Sequence, residues 1–109
     1  RYVQPGEVLM RKGDVPREVC FIASGAVEVE TAGQKSKLGR GDMFGQLALL
    51  SRQTRRTQIT AISHTTLLVL DEVRFRRLLE KSEALREAVR TSAEKRGLST
   101  EAPGLQLLQ

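Results

Sequence analysis

Cysteine and histidine occur once each in the 109 residues, as Cys20 and His64. A lone cysteine excludes an internal disulfide and a cysteine-based zinc site. A lone histidine excludes a multi-histidine metal centre. Tryptophan is absent, and the only aromatics are Tyr2, Phe21, Phe44 and Phe75. That is too few to build a stacking platform for single-stranded nucleic acid. No run approaches the ~18–20 apolar residues that span a bilayer, and no secretory signal is visible. The composition itself, with 39% hydrophobic and 28% charged residues, is that of a folded domain and not of a disordered chain. Lysine and arginine total 18 against 13 acidic residues, a net charge of +5, which favours anionic partners without naming one. The chain opens at Arg1 directly into strand-like sequence and reads as a fragment of a longer protein, a membrane protein among the options.

Residues 1–70 read as β. Turn residues recur at short intervals: Pro5-Gly6, Gly13-Asp14, Ser24-Gly25, Ala32-Gly33, Gly39 and Gly41-Asp42. Short apolar segments lie between them: Val8–Met10, Val19–Ile22, Ile59–Ile62 and Thr66–Leu70. Ala26–Glu30 alternates strictly, so Val27 and Val29 share one face. Many short strands separated by turns predict a sandwich or jelly-roll barrel. Residues 71–96 read as two helices. Asp71 is placed to cap the first, over 71–81, with Phe75, Leu78 and Leu79 as its apolar positions. Ser82 is placed to cap the second, over 82–96, with Leu85, Ala88, Val89 and Ala93 on one stripe. Gly97 is a natural stop, and 97–109 reads as a flexible tail or a short docking segment. The charges of 71–96 are most simply those of exposed helix faces over a core stripe; a basic helix resting on a membrane surface is the sharper reading.

One stretch does not fit the β pattern. Gly41 to Leu50 is followed by the polar, arginine-rich 51–57. Leu47-Ala48-Leu49-Leu50 has the makings of one helical turn opening at Gly45. The first amides of such a turn have no intrahelical partner and carry the positive end of the dipole, which suits a phosphate. Arg55 or Arg56 can return to the same phosphate with a fork of donors. Without a Walker lysine, a triphosphate site is not indicated.

Phe44-Gly45-Gln46-Leu47-Ala48-Leu49-Leu50, followed by Thr54-Arg55-Arg56-Thr57-Gln58-Ile59-Thr60-Ala61, resembles the phosphate-binding cassette of the cyclic nucleotide-binding domain family. That family reads Phe-Gly-Glu-Leu-Ala-Leu, a short loop, then Pro-Arg-x-Ala-Thr-Val. Pro5-Gly6-Glu7 with Gly13-Asp14, Phe21 to Val29, and Leu38 to Gly45 are similar to the family's approach to the cassette, so the resemblance covers about 2–96. It implies a mainly β domain: a jelly-roll-like β-roll of about eight strands followed by two α-helices, with the family's first helix missing upstream. It implies that Phe44, Gly45, Gln46, Leu47, Ala48, Arg55, Arg56 and Thr57 bind cyclic AMP or cyclic GMP. Gly45 would lie against sugar and phosphate, the amides of Leu47 and Ala48 would meet the cyclic phosphate, and Arg55 would pair with its negative oxygen. The helix at 82–96 would be the lid. No cofactor is implied. The implied role is regulatory, with lid movement relayed to a covalently attached effector, a channel or ion exchanger. The domain would then sit on the cytoplasmic side of an inner-membrane protein and oligomerise through its parent.

Two positions depart from the family. Gln46 replaces a glutamate that accepts from the ribose 2′-hydroxyl, and Thr54 replaces a proline. A neutral hydrogen bond contributes ~0.5–1.5 kcal/mol and a charged one ~1.5–3, so the exchange at 46 lowers affinity less than tenfold unless the carboxylate has further roles. Arg56 stands where the family often has Ala or Thr, which leaves base preference open. Two other classes remain: a degenerate domain that binds no nucleotide and serves as a structural or interaction module, and a sugar- or metal-dependent jelly-roll enzyme. The single histidine, in a polar Ser-His-Thr-Thr turn, argues against the enzyme. Nucleic acid is not an expected partner.

Overall fold

The computed structural model describes residues 1–15, 17–51 and 57–95. Among the described residues eight strands and three helices follow in the order β1 (Tyr2–Val3), β2 (Val8–Met10), β3 (Glu18–Ser24), β4 (Ala26–Thr31), β5 (Gln34–Gly39), β6 (Met43–Phe44), α1 (Gln46–Ser51), β7 (Gln58–Ala61), β8 (Thr65–Asp71), α2 (Glu72–Lys81) and α3 (Glu83–Lys95). The strands form two four-stranded antiparallel sheets, ordered β1-β8-β3-β6 and β2-β7-β4-β5. This is the expected β-roll followed by C-terminal helices.

The side-chain pattern explains why each strand lies where it does. In β4 the valines Val27 and Val29 point into the space between the sheets, while Glu28 and Glu30 face out. One face is dry and the other wet, so strict alternation results. The first sheet is covered on both faces. Cys20 and Ile22 of β3 and Leu67 of β8 enter the inner core with Phe44, Ile59 and Ala61. Val19 of β3 instead joins a second cluster on the outer face, with Leu49, Leu50, Phe75, Leu79 and Val89, against which Phe21 and Leu70 pack. Burial on both faces is why Val19–Ile22 reads as an unbroken apolar run; in β8 the run Leu67–Leu70 is interrupted by Leu68, which is 59% exposed.

The helices are held by caps and by this outer cluster. The Asp71 carboxylate accepts from the Arg74 amide at 2.8 Å, so it caps α2 as its position predicts. Ser82 serves both helices: its amide donates to the Leu78 carbonyl at 2.9 Å, and its hydroxyl accepts from the Leu85 amide at 3.1 Å. Arg86 reaches back from α3 to donate to the Leu79 and Glu80 carbonyls at the end of α2, where the dipole favours a cation. Phe75 and Leu79 are fully buried, each stabilising by ~1.5–3 kcal/mol. Two stripe assignments are corrected. Leu78 is 42% exposed, because its position turns it away from the sheet that Phe75 and Leu79 contact. Ala88 is exposed, because α3 makes contact through Leu85 and Val89. Arg96, Gly97 and the rest of the tail to 109 lie outside the described residues.

Candidate ligand site

The segment from Phe44 to Thr57 crosses from one sheet to the other. β6 is the edge of the first sheet and pairs with β3 through Cys20↔Phe44 and Phe21↔Met43. Thr57, half-buried, leads into β7, where Gln58 pairs with Glu30 in the second sheet. A turn at 39–42 delivers the chain to β6. The Asp42 amide donates to the Gly39 carbonyl at 3.0 Å, and the Gly39 amide donates to Asp42 Oδ2 at 2.9 Å. Two further bonds staple the turn to β3: the Gly41 amide to the Ile22 carbonyl and the Ile22 amide to the Asp42 carbonyl, both at 2.9 Å.

Phe44 is wholly buried in the inner core, so its side chain anchors the segment from below. The next residue, Gly45, has φ +89°, a left-handed conformation open to glycine and strained for other residues. That conformation turns the strand into α1. The helical turn expected to open at Gly45 is present, and its first rung runs from the Leu49 amide to the Gly45 carbonyl at 3.2 Å. The backbone amides of Leu47 and Ala48 therefore stand ahead of the helical ladder, in the first turn. Leu49 and Leu50 lock α1 onto the outer cluster. The helix that presents those amides is thus fixed on one side by core packing.

Gln46 is 2% exposed. No buried side-chain nitrogen or oxygen among the described residues lacks a partner, so its amide is accommodated inside the protein. Sequence alone suggests no such burial, since glutamine is ordinarily a surface residue. Arg55 and Arg56 lie outside the described residues. Two clefts lined by described residues, of about 380 and 310 Å³, lie elsewhere and include no residue of 44–57. Among the described residues, no group of His, Cys, Asp and Glu is placed to hold a metal ion.

The Ser63-His64-Thr65 turn is bonded into the fold, which its polar sequence does not announce. His64 is exposed, as expected, but Thr65 is 2% exposed and its hydroxyl lies within hydrogen-bond distance of the Ser63 and Ala26 carbonyls, at 3.0 and 3.2 Å, with its one proton shared between them. The Ala26 amide donates to Ser63 Oγ at 3.0 Å. Gly25, the single residue between β3 and β4, permits this contact: a Cβ there would meet the His64 carbonyl oxygen at 2.4 Å. Gly25 was the available signal, since a glycine between strands marks a crossing or a close approach.

A two-sheet β-roll, a glycine-opened helical turn between the sheets and two helices packed on one face define a cyclic nucleotide-binding type of domain. The chain belongs to the cyclic nucleotide-binding domain family, whose model matches residues 1–82. It is 38% identical over 98 residues to a cyclic nucleotide-gated potassium channel of Rhizobium etli, covering 89% of this chain and 28% of the channel. Among solved structures it is similar to a cAMP-binding acyltransferase from Mycobacterium smegmatis, with a TM-score of 0.66, 27% identity, and coverage of 72% of this chain and 26% of that one. It shares the fold of the Thermus thermophilus catabolite activator protein, with a TM-score of 0.76, 24% identity, and coverage of 88% and 48%. The chain is therefore a cyclic nucleotide-binding domain related to those of channels, and it spans about a quarter of the length of the bacterial potassium-channel relatives it matches and a tenth or less of the hyperpolarization-activated channels. Among the described residues no helix is long and apolar enough to cross a membrane.

Proposed function

We propose that this chain is a regulatory module that takes up cyclic AMP or cyclic GMP between residues 44–57 and α3, and relays the movement of α3 to an attached membrane channel or exchanger. The observation that carries this reading is Gly45 at φ +89° directly ahead of a helix pinned by Leu49 and Leu50. In it Gly45 lets the sugar and phosphate approach the backbone, and the amides of Leu47 and Ala48 donate to the cyclic phosphate. Arg55 neutralises the phosphate's single charge, with Arg56 and Thr57 completing the loop. Gln46 accepts from the ribose hydroxyl. Ligand acts on the effector because it binds one placement of α3 more tightly than another, and it shifts the equilibrium by no more than that difference. The module itself carries no reaction. The channel relatives support the choice of effector, which would put the domain on the cytoplasmic face of the inner membrane.

Calorimetric titration with each nucleotide tests the reading. Heat of binding is expected, and Arg55→Ala should weaken it by at least ~2 kcal/mol, about thirtyfold, by stranding the phosphate charge. Unchanged affinity in the variant refutes the role of Arg55. One observation favours a second reading. Gln46 is already buried and accommodated, which favours a degenerate domain acting as a structural or interaction module. Absence of heat with either nucleotide at millimolar concentration decides for it.

A further inference from the structure

α2 and α3 meet at Ser82. A serine can cap a helix, but it does not force a break. Leu79-Glu80-Lys81-Ser82-Glu83-Ala84-Leu85-Arg86 holds no glycine and no proline, and all of it except Ser82 consists of good helix formers. Propensity alone would run one helix from Glu72 to Lys95. Ser82 instead has extended backbone, with φ −119° and ψ 107°. The ladder holds on either side of it: the Ser82 amide donates to the Leu78 carbonyl at 2.9 Å, and the Arg86 amide donates to the Ser82 carbonyl at 3.1 Å. What the elbow interrupts are the rungs from the amides of Glu83, Ala84 and Leu85 to the carbonyls of Leu79, Glu80 and Lys81. Side chains stand in for them. Arg86 Nη1 donates to the carbonyls of Leu79 and Glu80, the second at 3.0 Å, and Ser82 Oγ accepts from the Leu85 amide at 3.1 Å.

We propose that Arg86 is the positioning residue that keeps α2 and α3 as two helices, because its guanidinium occupies the carbonyls that the amides of Glu83 and Ala84 would need to join them. A charged donor makes a stronger bond than the neutral amide it displaces. The donor belongs to the helix being turned, so the contact that caps α2 also sets the direction of α3. Val89 completes the bend: it is fully buried, in one cluster with Leu49 and Leu50 of α1 and Phe75 and Leu79 of α2. A straight helix would carry Val89 ~15 Å along the axis from Leu79, too far to share that cluster. Straightening thus withdraws α3 from α1 and from the site proposed there. Only that consequence rests on the nucleotide reading of residues 44–57; the elbow is a property of the ligand-free chain.

Spin labels on Val73→Cys and Thr91→Cys, both exposed positions, read the elbow by pulsed electron paramagnetic resonance. Cys20 is 1% exposed and stays unlabelled. A continuous helix sets the two Cα atoms ~27 Å apart, and the bent pair holds them closer. Val89→Ala loosens the packing of α3 and brings the straight form within reach. Adding Arg86→Gln to it should raise the share at the long distance about tenfold, and the Ser82 Cα chemical shift should move toward its helical value. Adding Arg77→Gln, which removes an equal charge from α2, should change neither. Should Val89→Ala unfold the chain, Leu85→Ala, at a half-buried position against the same cluster, takes its place. No long distance in the Arg86→Gln chain overturns the proposal, as does an equal share with and without Arg86. Random-coil shifts over 83–86 overturn it too, since α3 would then need Arg86 merely to fold. Cyclic AMP should bind the Arg86→Gln chain more weakly, in proportion to its straight share. Equal affinity with the elbow opened overturns the link to the site. Binding to neither chain overturns the nucleotide reading and leaves the elbow result standing.

Discussion

Gly25 joins the two sheets in a single residue, and the cost of filling it can be worked from the structure. Its φ is +91°, and an added Cβ would lie 2.4 Å from the His64 carbonyl oxygen, 2.5 Å from Thr65 Oγ1 and 2.7 Å from Thr65 Cα. Two of those atoms are backbone, in a turn fixed by the bonds of Ser63 and Thr65 to Ala26. Gly25→Ala therefore meets two separable penalties. Left-handed backbone costs an L-residue ~1–2 kcal/mol, and forcing a methyl into a filled space costs a further ~1–3 kcal/mol. Gly33→Ala isolates the first, since Gly33 has φ +81° and nothing within 4 Å of its would-be Cβ. At about 4 °C per kcal/mol for a domain of this size, Gly33→Ala should lower the melting temperature by ~4–8 °C and Gly25→Ala by ~8–20 °C. Calorimetry of both variants measures the difference. Equal melting temperatures would refute the claim that the Thr65 turn presses against this crossing.

Further outcomes follow from single contacts. Asp71→Ala removes the bond to the Arg74 amide and should destabilise the chain by ~1 kcal/mol, seen as a lower midpoint in urea with an unchanged slope. Gln46→Glu places a carboxylate at a position 2% exposed. It should tighten cyclic nucleotide binding by about 1 kcal/mol in calorimetry, through a charged ribose contact, while lowering the melting temperature of the ligand-free chain. Weaker binding in that variant would show that glutamine is fitted to another arrangement. Phe44→Ala should cost ~3–5 kcal/mol of stability, because a fully buried ring is lost from the inner core beneath the candidate site.

Where one face of an element is wet, the pattern was legible in the residues. Val27 and Val29 alternate with glutamates, and Phe75 and Leu79 lie one turn apart, so β4 and α2 are where their periods put them. The turn opening at Gly45 was legible from glycine ahead of an aliphatic run. β5 was not: Gln34–Lys37 are all exposed, and no apolar rhythm marks them. Its register comes from the two-residue turn at Ala32 and Gly33, whose φ of +50° and +81° match the hairpin twist, closed by the pair Thr31↔Gln34. Lysines on that edge also guard it against pairing with another chain. Leu78 and Ala88 were misplaced because helical spacing gives a stripe but not its width. The burial of Gln46 was illegible for a different reason: composition places glutamine outside, and only the tertiary fold buries the first residue of α1.

The central claim, that a cyclic nucleotide seats against the start of α1 and beneath α3, is tested most directly by amide nuclear magnetic resonance spectra recorded during titration with cyclic AMP and then cyclic GMP. The account predicts the largest shifts at Gly45, Leu47 and Ala48, with a second set along α3. Shifts confined to other surfaces, or none at millimolar nucleotide, would contradict it.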